Sequence, residues 1–337
     1  MKLIGFIKKL EEINSLSKHE QLVLGVIEAI DSGHLKMGDQ MPSINTMVEE
    51  VGFARKTIVK AYEELKDRGL VVSKKTKGYF IVSNKTKVFL KIALLMYSFQ
   101  RFQQEFYNSL RNEIGDRVQI DVFFHHNNEE VFETIFSNIH GKYGMYVVAP
   151  IESSRTKALL RTLSPERLLI VDRFLDLSSD YTYVTQEFEE STYKTLVQLL
   201  PKIKNYRKLK LYFRNDMDYP IGILNSYQKF LKDYNIQGEV HRNYKDGDIE
   251  KGTLFLFIGD ADLWSLLKAC KVSNYSLGQD IGVLSFNDHV VKEIILGGIT
   301  TISTDFKQMA SLTANNLKNL TYTKSIVPTT LIDRDSL

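Results

Sequence analysis

Between residues 55 and 77 the chain gathers eight cations (Arg55, Lys56, Lys60, Lys66, Arg68, Lys74, Lys75 and Lys77) against three anions, Glu63, Glu64 and Asp67. The local excess of five exceeds the +3 carried by the whole 337-residue chain. Positive charge at this density is what displaces condensed counterions from a phosphate backbone. An isolated basic helix would read as a solvated face, but here the spacing says more. Arg55, Lys56 and Lys60 lie near the start of a helical pattern, outside its apolar stripe of Ile58, Ala61, Tyr62 and Leu65. Lys74, Lys75 and Lys77 crowd a tight tip before Gly78. Far downstream is a second set: Ser98, Arg101, His125, His126, Asp172, Arg173, Tyr219, Asp260, Asn287 and Asp288. Each ends or follows a predicted strand. Planar polar side chains with an aromatic ring nearby hold polyhydroxylated small molecules by shared hydrogen bonds.

The cations need a scaffold, and the first 83 residues spell one. Ser17 and Glu20 form a capping box. It opens a helix with Leu22, Val23, Val26, Ile27 and Ile30 at a period near 3.6, which Gly33 stops. Ser43, after Pro42, is an N-cap for a second helix carrying Ile44, Met47, Val48 and Val51. Gly52 makes a turn, a third helix follows over 54–68, and Gly69 ends it. Residues 70–73 and 79–82 read as strands around the basic tip. Helix, turn, helix and hairpin predict a domain over 1–83. Its third helix would enter a DNA major groove by its N-terminal end, with the hairpin beside it.

These residues resemble the winged helix-turn-helix of the GntR type. The resemblance is carried by Gly33, Leu35, Gly38, Asp39, Met41, Pro42 and Ser43, then by Arg55, Thr57, Ile58 and Ala61, then by Gly78, Tyr79 and Phe80. It implies DNA contacts from Ser43, Arg55, Thr57 and the wing Gly78. Lys56, Lys60, Lys75 and Lys77 add phosphate contacts by their local charge. The departures bear on specificity. Asn45 stands where the family often has Arg, and can still reach a base or phosphate. Ala54 replaces a Ser, removing a cap and a hydroxyl, and Met37 replaces a turn Pro.

Ser83, Asn84, Lys85, Thr86 and Lys87 are short, polar and basic, and place a linker at 84–88. From residue 89 on, strands and helices alternate through two successive runs. This predicts an α/β body of two lobes, each a parallel sheet wound on both faces, with ligand bound between them beyond the carboxyl ends of the strands. Lobe 1 is expected at about 89–186 and 303–322, and lobe 2 at about 187–300 and 325–337. Several segments resemble the sugar-binding domain of the LacI family and the periplasmic binding proteins. They are Leu169 to Arg173; Phe257 to Asp260; Asp280, Ile281, Val283, Phe286, Asn287 and Asp288; Ile299 to Ile302; and Leu331, Arg334 and Ser336. The resemblance makes Arg173 and Asn287 the foremost ligand contacts. Gln186 stands where Asp is common, and Ile223 where the family often has a second-lobe Arg. It implies a homodimeric regulator on a two-fold symmetric double-stranded operator, answering to a monosaccharide or sugar derivative.

Each downstream residue also has a plainer reading. Asp172 and Arg173 form an internal ion pair, Asp288 caps a helix, Tyr219 and Pro220 pack a turn, and Trp264 belongs to a core. His125 and His126 are adjacent, point to different sides, and are unsuited to pairing on a metal. The single Cys270 lies in an apolar context, which excludes an intrachain disulfide and reads as a buried thiol in the reducing cytoplasm. Residues 3–7 are too short for an export signal and are followed by Lys8, Lys9, Glu11 and Glu12. No run of about 18 apolar residues occurs, so no membrane span is expected. No G-x-S-x-G, P-loop or H-E-x-x-H motif occurs either, so no catalytic residue, metal or cofactor is expected. The alternative is a GntR-type chain whose C-terminal domain is a pyridoxal-phosphate enzyme or senses something other than a sugar.

Overall fold

The computed structural model describes residues 3–12, 16–86, 90–116, 118–319 and 323–337. Its N-terminal head begins with α1 (Leu3–Lys9), which the apolar stretch there did not announce. Ile7 of α1 is fully buried in the same core as Leu22, Val26, Met47, Tyr62 and Leu65. α2 (Lys18–Asp31) starts at the Ser17–Glu20 capping box, with both reciprocal bonds present. α3 (Ile44–Val51) starts at Ser43, whose hydroxyl accepts from the Thr46 amide at 3.1 Å. It ends at Gly52 with φ of 70°, a left-handed turn that favours glycine and swings the chain into α4 (Arg55–Asp67). The wing is β1 (Val71–Lys74) antiparallel to β2 (Gly78–Ile81). Gln40 adds a short bridge to Phe80, and the Gln40 amide donates to the Lys77 carbonyl at 2.7 Å.

The body holds two six-stranded sheets. The first is built from β3 (Leu90–Met96), α5 (Arg101–Ile114), β4 (Val118–Phe124), α6 (Glu129–Ile139), β5 (Met145–Val148), α7 (Ser154–Leu160), β6 (Leu168–Asp172) and β7 (Thr182–Gln186). The second follows with α8 (Glu189–Gln198), α9 (Leu200–Ile203), β8 (Lys208–Tyr212), α10 (Ile221–Tyr234), β9 (Gly238–His241), β10 (Thr253–Phe257), α11 (Asp260–Ser273), β11 (Gly282–Phe286), α12 (Val290–Ile294) and β12 (Thr300–Thr304). α13 (Phe306–Asn319), β13 (Ser325–Val327) and β14 (Thr329–Ile332) complete the chain. The sheet orders are β13-β7-β6-β5-β3-β4 and β14-β12-β11-β10-β8-β9. All pairings are parallel except β12 with β14. Central strands such as β10 are buried along their whole length, as sheets covered on both faces require. Each sheet has a separate apolar core on either side.

The chain passes between the sheets three times among the described residues: from β7 to α8, from β12 to α13, and from β13 to β14 around Pro328. This corrects the expected lobe boundaries. Residues 303–304 finish β12 in the second sheet, and 325–327 pair with β7 in the first. A three-residue strand is too short to show a period, so its sheet is set by the edge it meets. Of the expected linker, 87 and 88 lie outside the described residues, as does 89 of the expected first strand and 320–322 of the lobe 1 segment.

Head and body also touch away from the linker. Arg167 donates to Asp67 at 2.6 Å and to Glu63 at 3.3 Å, both on α4. Gly144 lies so close that a Cβ there would stand 2.8 Å from the Asp67 carbonyl oxygen. Burial pushes the Asp67 carboxyl up to about 6 despite the Arg167 cation. Among the described residues no helix is long and apolar enough to cross a membrane.

Candidate functional site

The basic face of the head is open. Ser43, Asn45, Arg55, Lys56, Lys60, Lys75 and Lys77 are all exposed, and Thr57 and Gly78 are half-buried. α4 begins at Ala54 without a side-chain cap, so its first amides stay available to an anion. Arg55 reaches across from α4 to Asn45 on α3, so a residue that follows the usual pattern donates to one that departs from it. Tyr62, on the buried face of α4, donates to the Pro42 carbonyl at 2.8 Å and so fixes the turn into α3. In the wing, Lys74 lies over the Phe80 ring at 4.6 Å, while Gly78 takes φ of 91°.

A cavity of about 420 Å³ lies between the two sheets. Of the expected ligand residues, Arg101, Asp172, Arg173, Tyr219, Asp260, Asn287 and Asp288 line it. Ser98 and His125 do not. Ser98 instead donates to Gln103 at 3.1 Å at the start of α5. β4 is the outermost strand of its sheet, and His125 after it turns inward to the Ala149 carbonyl, 2.9 Å away. Burial pulls its imidazole down to about 4, which makes it a neutral core histidine. His126 is exposed.

The strand ends facing the cavity carry unusual backbone. Asp172 at the end of β6 has φ of 66° and Asn287 after β11 has φ of 59°. Non-glycine residues in this region are uncommon and concentrate at ligand clamps. Asp172 accepts from Gln186, and Gln186 accepts from Thr304 at 2.6 Å, so the strand end is tied to two of the three crossings. Arg173 spans the cleft. Its guanidinium donates to the Asp218 carbonyl at 2.9 Å and to the Asp218 carboxylate at 3.3 Å, and lies over Phe188 at 4.7 Å. Burial pushes the Asp218 carboxyl up to about 6, with Arg173 opposing. Asp288 is spoken for. Arg334 grips it at 2.7 and 2.9 Å and Thr301 donates at 2.9 Å. Burial alone would raise its pKa, but these bonds hold it below the usual carboxylate range.

Residues that the sequence did not single out complete the floor. Lys292 on α12 is fully buried, and desolvation lowers the pKa of its ammonium. It donates to Ser285 at 2.9 Å, to the Phe286 carbonyl at 2.7 Å and to the Asn287 carbonyl at 2.8 Å, and meets Asp260 at 2.6 Å. His289 meets the other Asp260 oxygen at 3.0 Å and packs on Trp264. Among the described residues, two that line the cavity keep a buried nitrogen without a hydrogen-bond partner, Nε of Arg173 in lobe 1 and Nδ1 of His289 in lobe 2. Native structures leave few buried polar atoms open, and in a cavity wall a ligand can supply the missing partner.

Residues 18–81 match the family of bacterial regulatory proteins, gntR family. This stretch is a gntR-type regulatory domain. The remainder has the fold of LacI-family regulators. A LacI family transcriptional regulator from Silicibacter pomeroyi is 15% identical with a TM-score of 0.63, covering 73% of this chain and 98% of that one. A LacI family regulator from Lactobacillus casei with bound glucose is 14% identical with a TM-score of 0.60, covering 73% and 99%. A lac repressor dimer bound to operator and the anti-inducer ONPF is 16% identical with a TM-score of 0.60, covering 73% and 93%. Comparison with curated proteins found no match. In the gntR domain the missing cap at Ala54 is the departure that the sequence led one to expect.

Proposed function

We propose that the protein is a ligand-responsive transcription regulator that represses carbohydrate-utilisation genes and is released from DNA by a monosaccharide or sugar derivative. The observation that carries this reading is the pairing, in one chain, of an exposed cationic helix start with a cleft, lined by charged and aromatic side chains, between two sheets. On DNA, α4 would lie in the major groove. Arg55, Asn45, Ser43 and Thr57 would be at base edges or phosphates, with Lys56, Lys60, Lys75, Lys77 and Gly78 along the backbone. In the cleft, Arg173, Asn287, Asp260, Asp172, Tyr219 and Arg101 would face the ligand. Glucose in the Lactobacillus casei structure supports a sugar as the ligand. A sugar can move the equilibrium only through unequal affinity for the open and closed lobes.

The operator would be two-fold symmetric and the protein a homodimer, acting in the cytoplasm. The lac repressor dimer on its operator supports this. So does an apolar surface on and after α12, where Val290, Val291, Ile294 and Leu296 are exposed. The testing experiment selects binding sites from random DNA and then adds pentoses, hexoses, deoxysugars and their phosphates. Enrichment of a palindrome that one sugar releases is the expected result. Failure to enrich any site, or release by none of the sugars, sinks the corresponding half of the reading.

A further inference from the structure

His289 stands in a chain of contacts that fixes its tautomer. Lys292, fully buried, places its ammonium 2.6 Å from one oxygen of Asp260. The other Asp260 oxygen faces Nε2 of His289 at 3.0 Å. An oxygen of a carboxylate facing an ammonium accepts, so Nε2 is the ring nitrogen that donates. In the neutral ring the proton on Nε2 leaves Nδ1 with a lone pair. That nitrogen is buried, has no partner among the described residues, and belongs to a residue lining the cleft. Trp264 packs against the ring, with centroids 6.0 Å apart, and limits its rotation. On the opposite lobe, Arg173 leaves its Nε–H open in the same way.

From this geometry we infer that His289 is a specificity-determining residue of the cleft, its Nδ1 accepting a hydrogen bond from a ligand hydroxyl, while Lys292 acts through Asp260 as the positioning residue that sets the tautomer. The inference deepens the proposed function and rests on the cleft being the ligand site. It also orients the ligand. A ligand group against His289 and Asp260 must donate, as a sugar hydroxyl does, because His289 Nδ1 and the Asp260 carboxylate accept. The edge against Arg173 must accept, as a ring or carbonyl oxygen does. A carboxylate or phosphate at this point of the wall would meet lone pairs. A site built to pair with a hydroxyl rejects the analogue that lacks it, because its own polar atom is then left buried and open.

The decisive experiment needs no ligand. Two-bond nitrogen–proton spectra of the full chain with labelled histidine report which ring nitrogen carries the proton. For the ring assigned to His289 by its loss in His289→Phe, the Nε2–H tautomer is expected at pH 7.5, and Lys292→Met should mix the tautomers. A dominant Nδ1–H form, or a doubly protonated ring, overturns the inference. Thermal shifts with D-glucose, D-galactose, D-xylose and L-arabinose then compare wild type, Arg173→Ala and His289→Phe. A sugar that stabilises wild type should lose at least tenfold in affinity in His289→Phe and should move the Nδ1 resonance. Equal stabilisation of His289→Phe overturns the inference and leaves the cleft reading standing. Equal stabilisation of Arg173→Ala sinks the cleft reading itself. If none of the four binds, the tautomer alone decides.

Discussion

The reading face of the head and the floor of the cleft use the same residue types in opposite ways. On the head, Arg55, Lys56, Lys60, Lys75 and Lys77 are exposed, and Arg55 donates to a neutral partner, Asn45. In the cleft, Arg173 is matched to Asp218, Arg214 to Asp216 and Lys292 to Asp260. Water explains the contrast. An exposed cation keeps its hydration and waits for a phosphate at little cost, whereas a buried one without a partner is expensive. Affinity on the head therefore comes from unspent charge. On the cleft floor, where the charges are paired, the atoms left open among the described residues are His289 Nδ1 and Arg173 Nε.

The contrast can be broken most forcefully at Lys292. Lys292→Met strips three acceptors and Asp260 of their partner. It should destabilise the protein by about 3–5 kcal/mol, as broken buried pairs do, read by denaturant unfolding. A loss below about 0.5 kcal/mol would mean that the ammonium is not needed there. Replacing both Arg55 and Lys56 by Ala should do the reverse. Stability should stay within about 0.5 kcal/mol, while operator affinity falls by about 2–4 kcal/mol and the salt slope flattens by about 2. Retained gel-shift affinity would remove the DNA assignment.

Asp218 offers a smaller test with a defined sign. Its carboxyl lies at about 6 in the fold against an ordinary 3.8, so the fold binds the proton more tightly than the unfolded chain. Its contribution is fully present below the unfolded value and is lost as pH rises through 6. Asp218→Asn should remove on the order of 1–2 kcal/mol of stability change between pH 4 and 6, seen as a flatter melting curve series. An unchanged pH dependence would contradict the burial of that carboxyl. The smallest effect is expected at the joint between head and body. Arg167→Asp should cost about 0.5–1 kcal/mol and speed trypsin cleavage near Lys85, and the swap with Asp67→Arg should restore both. If the swap fails to restore either, the charges do not hold that joint.

From α2 to the wing the head was legible almost to the residue because its signals are local, whereas α1 was missed. The capping box at Ser17, the Ser43 cap, the turn at Gly52 and the stripe through Ile58, Ala61, Tyr62 and Leu65 all act within a few positions. The alternation of strands and helices likewise announced two wound sheets. The strand-end motifs at Asp172, Arg173, Asn287 and Asp288 led to the cavity wall. The closing Arg334 and Ser336 turned out to be structural. Arg334 holds Asp288, and Ser336 is buried between the Thr300 amide and the Val283 carbonyl.

The sequence by itself determined what depends on neighbours along the chain: caps, turns, periods, and which residues end strands. The tertiary structure alone decided which side chains meet. It turned His125 into the core and put β13 on the first sheet. It set Asp218 against Arg173 from 45 residues away. It brought Asp260 to His289 across 29 residues, with Lys292 behind both. Such partnerships leave no period in the sequence, because burial and hydrogen-bond geometry in the packed fold select them. That is why the basic face of the head could be read from its residues, while the chemistry of the cleft floor needed the lobes assembled.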